Sequence, residues 1–252
     1  MKLSEKMHKA GWCITRDKSG NFCVYGGDGI KYTYLTAVEA WLEPVEEIEA
    51  ELERQLQEIS ENKRSSFVSA SRMTSLYHSK NASQPVRYLC QKKLLENKSV
   101  LHLGTGLDIP AKNQLLESGC AEVADYDPNF YPETSVLYKQ YDAVIANYVL
   151  NIVPPDDRKN IYSLIRNRLK PNGTAYLTVQ GVWPVENKYT IIRSYKDGYL
   201  IKTGYNTTFR KGYSKEEFLK EIKQILGGSP RLITMFYSNP FVQWVKSSGR
   251  GP

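Results

Sequence analysis

Residues 100–108 read VLHLGTGLD: apolar side chains with one histidine among them, then Gly104-Thr105-Gly106, then the acid Asp108. The apolar run has the length and the β-branched start of a buried strand, and the paired glycines mark a place where the backbone bends sharply or lets a ligand approach. Taken alone, the motif serves an ordinary tight turn and a cofactor loop equally well. The segments around it decide between the two.

Downstream, the pattern alternates. It predicts a strand over 100–103, a helix over 111–117, a strand over 122–126, a strand over 142–146 after an irregular stretch containing Pro128 and Pro132, a helix over 156–169 and a strand over 174–179. Strands alternating with helices imply right-handed crossovers and an α/β fold, a mainly parallel sheet with helices on both faces. Ligands of such sheets bind beyond the carboxyl ends of the strands. That rule selects Gly104 to Asp108, Asp127, and Asn147 to Asn151.

Composition bounds the rest. A chain of 252 residues with eighteen tyrosines is long and apolar enough to bury a real core. No apolar stretch approaches the ~20 residues a membrane span requires, and MKLSEKMHKAGW lacks the apolar centre of a signal peptide, so the expectation is a soluble, cytoplasmic protein with no membrane partner. Cys13, Cys23, Cys90 and Cys120 form no CxxC pair and have no companion histidines; they read as reduced thiols and no metal site is expected. Cys13 and Cys23 are close enough in sequence to sit near each other across a hairpin. Residues 39–61 carry nine glutamates against one arginine, a local −8 within a chain of net +7, which leaves +15 for everything else. A body that basic suits a polyanion such as nucleic acid, and equally an ordinary basic surface beside a solvated acidic helix.

Residues 11–34 alternate like short strands, with turns at Lys18-Ser19-Gly20 and Gly26-Gly27-Asp28-Gly29, and predict a small N-terminal β-meander. Thr36 and Glu39 then form a capping box. The acidic helix that follows bears Trp41, Val45, Ile48, Leu52, Leu56 and Ile59 on one stripe. Such a stripe covers the domain's own core or, as the second reading, joins a homodimer through residues 37–61. From 63 to 98 the chain is basic and polar, a linker leading into a helix from about Gln84. The expected organisation is therefore 1–62, 63–98 and 99–252.

The glycine loop and its acid narrow the ligand. Gly104 and Gly106 let the backbone come within contact distance, and the start of the next helix offers N–H donors. Asp127, roughly twenty residues on at the end of the second strand, is placed to accept both hydroxyls of a ribose; Asp125 takes its place if the register moves by one. Dinucleotide folds use a third glycine where this chain has Ile109. A two-glycine loop suits adenosine with an amino-acid tail, as in S-adenosyl-L-methionine. No P-loop is present.

LHLGTGLD, ADYDP at 124–128 and YDAVIANYVLNIVPPDDR at 141–158 resemble the class I S-adenosylmethionine-dependent methyltransferases, and within them the methyltransferases associated with DNA phosphorothioation and their phage relatives. Ser-Arg and Gln-Pro-Val-Arg within 71–87, TFRKGYSKEEFLKEI at 208–222 and the terminal MFYSNPFVQWV extend the likeness over about residues 68–245. NYVLN with the following Pro-Pro and Arg158 is its most specific part. The loop departs from the group's Gly-Cys-Gly-Arg-Gly-Asp: Thr105 stands for the cysteine, Leu107 for the arginine, and Asp108 replaces the later acid after a shift of one.

The resemblance implies a Rossmann-like S-adenosylmethionine-binding domain over 99–252. Leu103, Gly104, Thr105, Gly106, Asp108, Asp127, Pro128 and Asn147 are then the cofactor-binding residues, and Asn147 with Tyr148 lies beside the methyl group. His78, in a polar segment, is the candidate for a base or substrate contact, whereas His102, inside a strand, reads as packed. Arg72, Tyr77, Asn151 and Arg210 are candidates for substrate binding. Asn147 and Asn151 equally suit bonds to loop backbone, and Tyr148 a core aromatic.

The acceptor is less determined. The Asn/Asp-Pro-Pro-aromatic motif of exocyclic amine methylation is absent, and Pro154-Pro155 reads as a helix start. The basic and aromatic run from Trp183 and Tyr189 to Arg193, Lys196, Lys202, Arg210 and Lys211 reads as a strand hairpin acting as a substrate lid, or as a surface for single-stranded nucleic acid. The expected function is methyl transfer to nucleic acid, DNA favoured. The alternatives are a small-molecule or protein acceptor, and a binding module without turnover.

Overall fold

The computed structural model describes residues 13–16, 22–25, 31–34, 63–78, 80–203 and 206–247. Strands β1 (Cys13–Arg16), β2 (Phe22–Tyr25) and β3 (Lys31–Tyr34) form the expected antiparallel meander. Cys13 lies opposite Tyr25 and Cys23 opposite Thr15, so the two cysteines are not partners in the ladder. The acidic helix and the dimer seam expected over 37–61 lie outside the described residues.

The α/β body is built on a six-stranded sheet of order β11-β12-β7-β6-β4-β5. Its parallel part comprises β4 (Ser99–Leu103), β5 (Glu122–Tyr126), β6 (Tyr141–Asn147) and β7 (Leu169–Thr178). At the other edge, β12 (Asn239–Val245) runs antiparallel between β7 and β11 (Arg231–Phe236). This antiparallel strand separates the sheet from the all-parallel order of a dinucleotide fold.

Period-2 alternation divides the side chains of each strand between two cores. Val100, Ala143, Ile145 and Tyr176 pack with Val86 and Leu89 of α2 (Gln84–Gln91) and Ala111 and Leu115 of α3 (Ala111–Glu117). Leu101, Leu103, Val144, Ala146 and Leu177 pack with Tyr162 and Ile165 of α4 (Pro155–Arg168) and Phe218 and Ile222 of α6 (Lys215–Leu226). Helices therefore cover both faces. Pro155 opens α4, where its missing N–H costs nothing.

Register brings the functional segments level. Leu103 pairs with Tyr126 on one side and Ala146 on the other, and Asn147 pairs with Thr178, so Gly104, Asp127, Asn147 and Gln180 all lie at one edge of the sheet. The opposite edge is tied by Asp142: its Oδ2 accepts from the Ser99 N–H (2.9 Å) and hydroxyl (2.7 Å), and its Oδ1 pairs with Lys170 Nζ at 2.9 Å.

Two features depart from the sequence reading. Residues 63–70 form a helix, α1 (Lys63–Ala70), where a loop was expected. Its KRSSFVSA has no apolar periodicity; Phe67 is buried against Tyr195 and Phe209, and the Val68 carbonyl accepts from Asn129 Nδ2 at 3.0 Å. The basic linker is therefore joined to the body by tertiary contact. The expected hairpin gains a third strand, giving an antiparallel sheet of β8 (Thr190–Tyr195), β9 (Gly198–Thr203) and β10 (Asn206–Arg210). Between β7 and β8 lies the short α5 (Val182–Lys188).

A buried ion cluster fastens that second sheet to the body. Arg158 on α4 is 2% exposed. It donates from Nε to the Leu150 carbonyl (2.9 Å) and from Nη2 to the Val153 carbonyl (3.1 Å), while Nη1 meets Asp197 Oδ2 (2.7 Å) in the β8–β9 turn and Glu221 Oε2 (3.1 Å) on α6. Lys211, just past β10, pairs with Asp197 (2.8 Å), Glu217 (2.9 Å) and Glu221 (3.4 Å). Tyr162 and Tyr213 hydroxyls donate to Glu221. Burial opposes ionisation of Asp197, yet the hydrogen bonds and charges of Arg158 and Lys211 outweigh it and hold the carboxyl below its usual range.

Removing one partner of a buried charge set leaves the others uncompensated, at about 3–5 kcal/mol. Arg158→Ala is expected to lose that much stability in urea unfolding; a loss below ~1 kcal/mol would show that the cluster does not hold the two sheets. At the far edge, burial pushes the Asp142 carboxyl up, but the bonds from Ser99 and the Lys170 charge bring it from 3.8 down to about 2. A depressed carboxylate stabilises above its unfolded value and loses that contribution as pH falls through the folded one. Asp142→Asn should therefore cost about 1 kcal/mol at pH 7, allowing for solvent screening, and little at pH 2. An equal loss at both pH values would refute the assignment.

Candidate active site

The loop after β4 needs its two glycines. Gly104 and Gly106 have φ of 70° and 58°, the left-handed region that side chains rarely adopt. A Cβ on Gly104 would lie 2.3 Å from Val149 Cγ2, and one on Gly106 would lie 2.8 Å from Ser75 Oγ. Thr105 turns inward: its hydroxyl lies 2.9 Å from the His102 carbonyl and 3.2 Å from Asp125 Oδ1, tying the loop to β4 and β5. His102 is 1% exposed, a packed histidine 3.6 Å from Asp125.

Asp127 closes the loop from the end of β5. Its Oδ2 accepts the Gly106 N–H (3.0 Å), and its Oδ1 accepts those of Asn129 (2.8 Å) and Phe130 (3.2 Å). A carboxylate has about four acceptor positions, so one remains for a ligand hydroxyl while the Gly106 bond persists. Asp125, the alternative acid, is engaged by Thr105 inside the strand. Pro128 is exposed on the turn beside Asp127. The helix start offers less than expected, because α3 begins only at Ala111, behind Pro110, which has no N–H.

Asp108 Oδ2 accepts the Ser83 N–H (3.0 Å), while its buried Oδ1 has no hydrogen-bond partner. His78 pairs with Asp108 in a backbone bridge and donates its N–H to the Leu107 carbonyl (3.1 Å), which sets His78 beside the end of the glycine loop. Tyr131, not selected from the sequence, reports the local field: burial and then the negative charges of Asp125, Asp127 and Asp108 push its phenol up. Asp125 bonded to Thr105, Asp127 bonded to Gly106 and Asp108 at the end of the loop put three carboxylates at this end of the sheet.

Asn147, at the end of β6, has both polar side-chain atoms buried and without a hydrogen-bond partner among the described residues. Tyr148 follows at φ 59°, a left-handed tyrosine held by its N–H to the Thr178 carbonyl (2.7 Å). Such a backbone costs about 1–3 kcal/mol and persists only where its surroundings fix it. Its hydroxyl lies 3.5 Å from Asn239 Nδ2, and burial pushes the phenol up.

Asn151 is fully buried. Its carbonyl accepts the Lys211 N–H (2.8 Å), its Nδ2 lies 3.5 Å from Gln180 Oε1, and its Oδ1 has no partner. Gln180 donates in turn to the Tyr189 hydroxyl (2.9 Å), and the Arg210 guanidinium stacks over the Tyr189 ring at 5.2 Å. Thr178 Oγ1 and Arg210 Nε are also buried and unpartnered. Each unmet polar group costs about 1–3 kcal/mol, so their clustering at the strand ends marks a place for ligand groups.

The sequence reading grouped Arg210 with surface cations, and the structure corrects this. Arg210 is 5% exposed, because β10 is covered on both faces and its alternation is lost from Thr208 to Lys211. Burial alone drives its pKa down. Arg72 and Tyr77 are exposed, Arg72 lying 5.9 Å from the Phe130 ring centre. Trp183, Arg193, Lys196 and Lys202 are exposed on α5 and the second sheet. Gln180 and Thr178 were missed although the strand-end rule applies to β7 as it does to β6.

No protein-family model and no curated protein matches this sequence. Among solved structures, the chain is similar to 1,6-didemethyltoxoflavin-N1-methyltransferase of Burkholderia thailandensis with bound 1,6-didemethyltoxoflavin and S-adenosylhomocysteine, at 13% identity and TM-score 0.45, over 93% of this chain and 99% of that one. It is similar to DhpI in complex with S-adenosylhomocysteine at 15% identity and TM-score 0.45, over 66% and 88%. It is similar to the glycopeptide N-methyltransferase MtfA with S-adenosylhomocysteine at 13% identity and TM-score 0.42, over 66% and 91%.

Proposed function

We propose that this chain is an S-adenosylmethionine-dependent methyltransferase. The observation that carries the reading is a two-glycine loop closed by its acids, Asp125 on Thr105 and Asp127 on Gly106 with Asp108 at the loop's end, and the Asn147 side chain beside it without a partner among the described residues. A site so rich in carboxylates disfavours a pyrophosphate and suits a cationic ligand. The residues fit this cofactor: Asp127 keeps an acceptor position for a ribose hydroxyl, Asp108 an unpartnered oxygen for an amine, and Asn147 a donor and an acceptor.

Bound there, S-adenosylmethionine supplies an electrophilic methyl carbon for in-line displacement. Leu103, Gly104, Thr105 and Gly106 shape the loop, Asp127 with Pro128 holds the ribose side, and Asn147 with Tyr148 orients the acceptor. Alignment of two reactants of this kind supplies up to about 7–11 kcal/mol of the barrier. His78, whose backbone bridges to Asp108 beside the loop, is the candidate to take a proton if the acceptor must lose one early.

For the acceptor, the +15 carried outside residues 39–61 supports nucleic acid, and the likeness to phosphorothioation-associated methyltransferases favours DNA. Exposed Arg72, Tyr77, Arg193, Lys196 and Lys202 are the contacts for that reading. The burial of Arg210 favours a second reading, a small acceptor.

Calorimetry with S-adenosylmethionine and S-adenosylhomocysteine tests the proposal. Saturable binding is expected, weakened ~10-fold or more by Asp127→Ala through loss of a charge-assisted hydrogen bond. A flat trace with folded protein would overturn it. Radiolabel transfer to DNA and RNA, with and without nuclease, separates the acceptors: nuclease-insensitive transfer excludes nucleic acid.

A further inference from the structure

Resting on the methyltransferase reading above, we infer that Arg210 is the receptor for one anionic group, a carboxylate or a phosphate, on a small methyl acceptor. Every other buried cation in this part of the molecule has its counter-charge. Arg158 has Asp197 and Glu221, and Lys211 has Asp197, Glu217 and Glu221. Arg210, the neighbour of Lys211 in sequence and 5% exposed, has no carboxylate and no hydrogen bond among the described residues. An uncompensated cation is not retained in an interior for stability, because an apolar side chain of similar volume serves packing better. Its retention points to a ligand.

The surroundings specify the kind of ligand. Tyr189 occupies one face of the guanidinium, which fixes its plane and leaves the N–H edge for two parallel bonds to a planar or tetrahedral oxyanion. Tyr189 is held by Gln180, which lies against Asn151, whose carbonyl accepts the Lys211 N–H. The receptor is therefore tied to the ends of β6 and β7, the place where the acceptor must meet the methyl group. Asn151 Oδ1 and Thr178 Oγ1, buried and unpartnered, are polar groups for the remainder of that molecule. A duplex phosphate cannot approach a side chain this buried, whereas the exposed Arg193, Lys196 and Lys202 are open to one.

Binding of benzoate, benzamide, inorganic phosphate and a short single-stranded oligonucleotide is measured on the full chain, with Arg210→Lys and Arg210→Met. The expected result is that benzoate or phosphate binds, benzamide binds at least ~10-fold more weakly, and Arg210→Met abolishes the anion signal while its melting temperature stays level or rises. Arg210→Lys, which keeps the charge and loses the fork, should retain part of it. Equal binding of benzoate and benzamide, no anion binding, or unchanged binding by Arg210→Met would overturn the assignment. So would a fall in melting temperature in Arg210→Met, which marks a structural arginine. Displacement of benzoate by the oligonucleotide would make nucleic acid the occupant and overturn the small acceptor. S-adenosylmethionine titration of the same samples separates the two readings: intact cofactor binding without anion binding removes the receptor alone, and the reverse removes methyl transfer alone.

Discussion

The Arg158 guanidinium joins three parts of the chain at one point: the segment after β6, the β8–β9 turn and α6. Its Nε and Nη2 take two carbonyls from the segment after β6, and its Nη1 takes the carboxylates of the β8–β9 turn and of α6. The backbone of residues 147–153 leaves the sheet with few ladder partners, and its carbonyls would otherwise be stranded in a dry interior. One cation satisfies them and at the same time anchors the second sheet. The left-handed Tyr148 and the buried Asn151 are consequences: the loop can be strained because both of its flanks are fixed.

The glycine loop is closed by a different device. Asp127 folds back on Gly106, and Thr105 reaches down to Asp125 and the His102 carbonyl, so the loop is shaped by its own hydroxyl and carboxylates. This explains why a threonine serves in this loop. Its side chain faces the strands and leaves the ligand side to backbone atoms. A ligand that needs both positions on Asp127 must compete with the Gly106 N–H, which couples binding to a local movement of the loop.

The parallel core was legible in the sequence because periodicity reports burial on both faces. The strand at 122–126 and the helix at 111–117 occur at the expected bounds, and the 100–103 strand is one residue longer. Strand-end logic then located Gly104, Asp127 and Asn147 without contact information. It failed where burial came from tertiary contact. Helix α1 is docked through Phe67 and the Val68 carbonyl, contacts that have no period to detect. Arg210 reads as a surface cation because its cover, Tyr189, lies twenty-one residues away on the other side of a three-stranded sheet.

Two kinds of positive charge are therefore present, and net charge cannot tell them apart. Arg158 and Lys211 are neutralised internally and contribute nothing to a partner; Arg193, Lys196 and Lys202 face water and act through a screened field. Arg210 belongs to neither group. In a desolvated setting one guanidinium discriminates between a charged acceptor and its neutral analogue far more sharply than a field of surface lysines, because binding the analogue would leave the buried cation unpaired. A basic isoelectric point argues for association in general, and the buried, unpaired cation argues for selection of one chemical group.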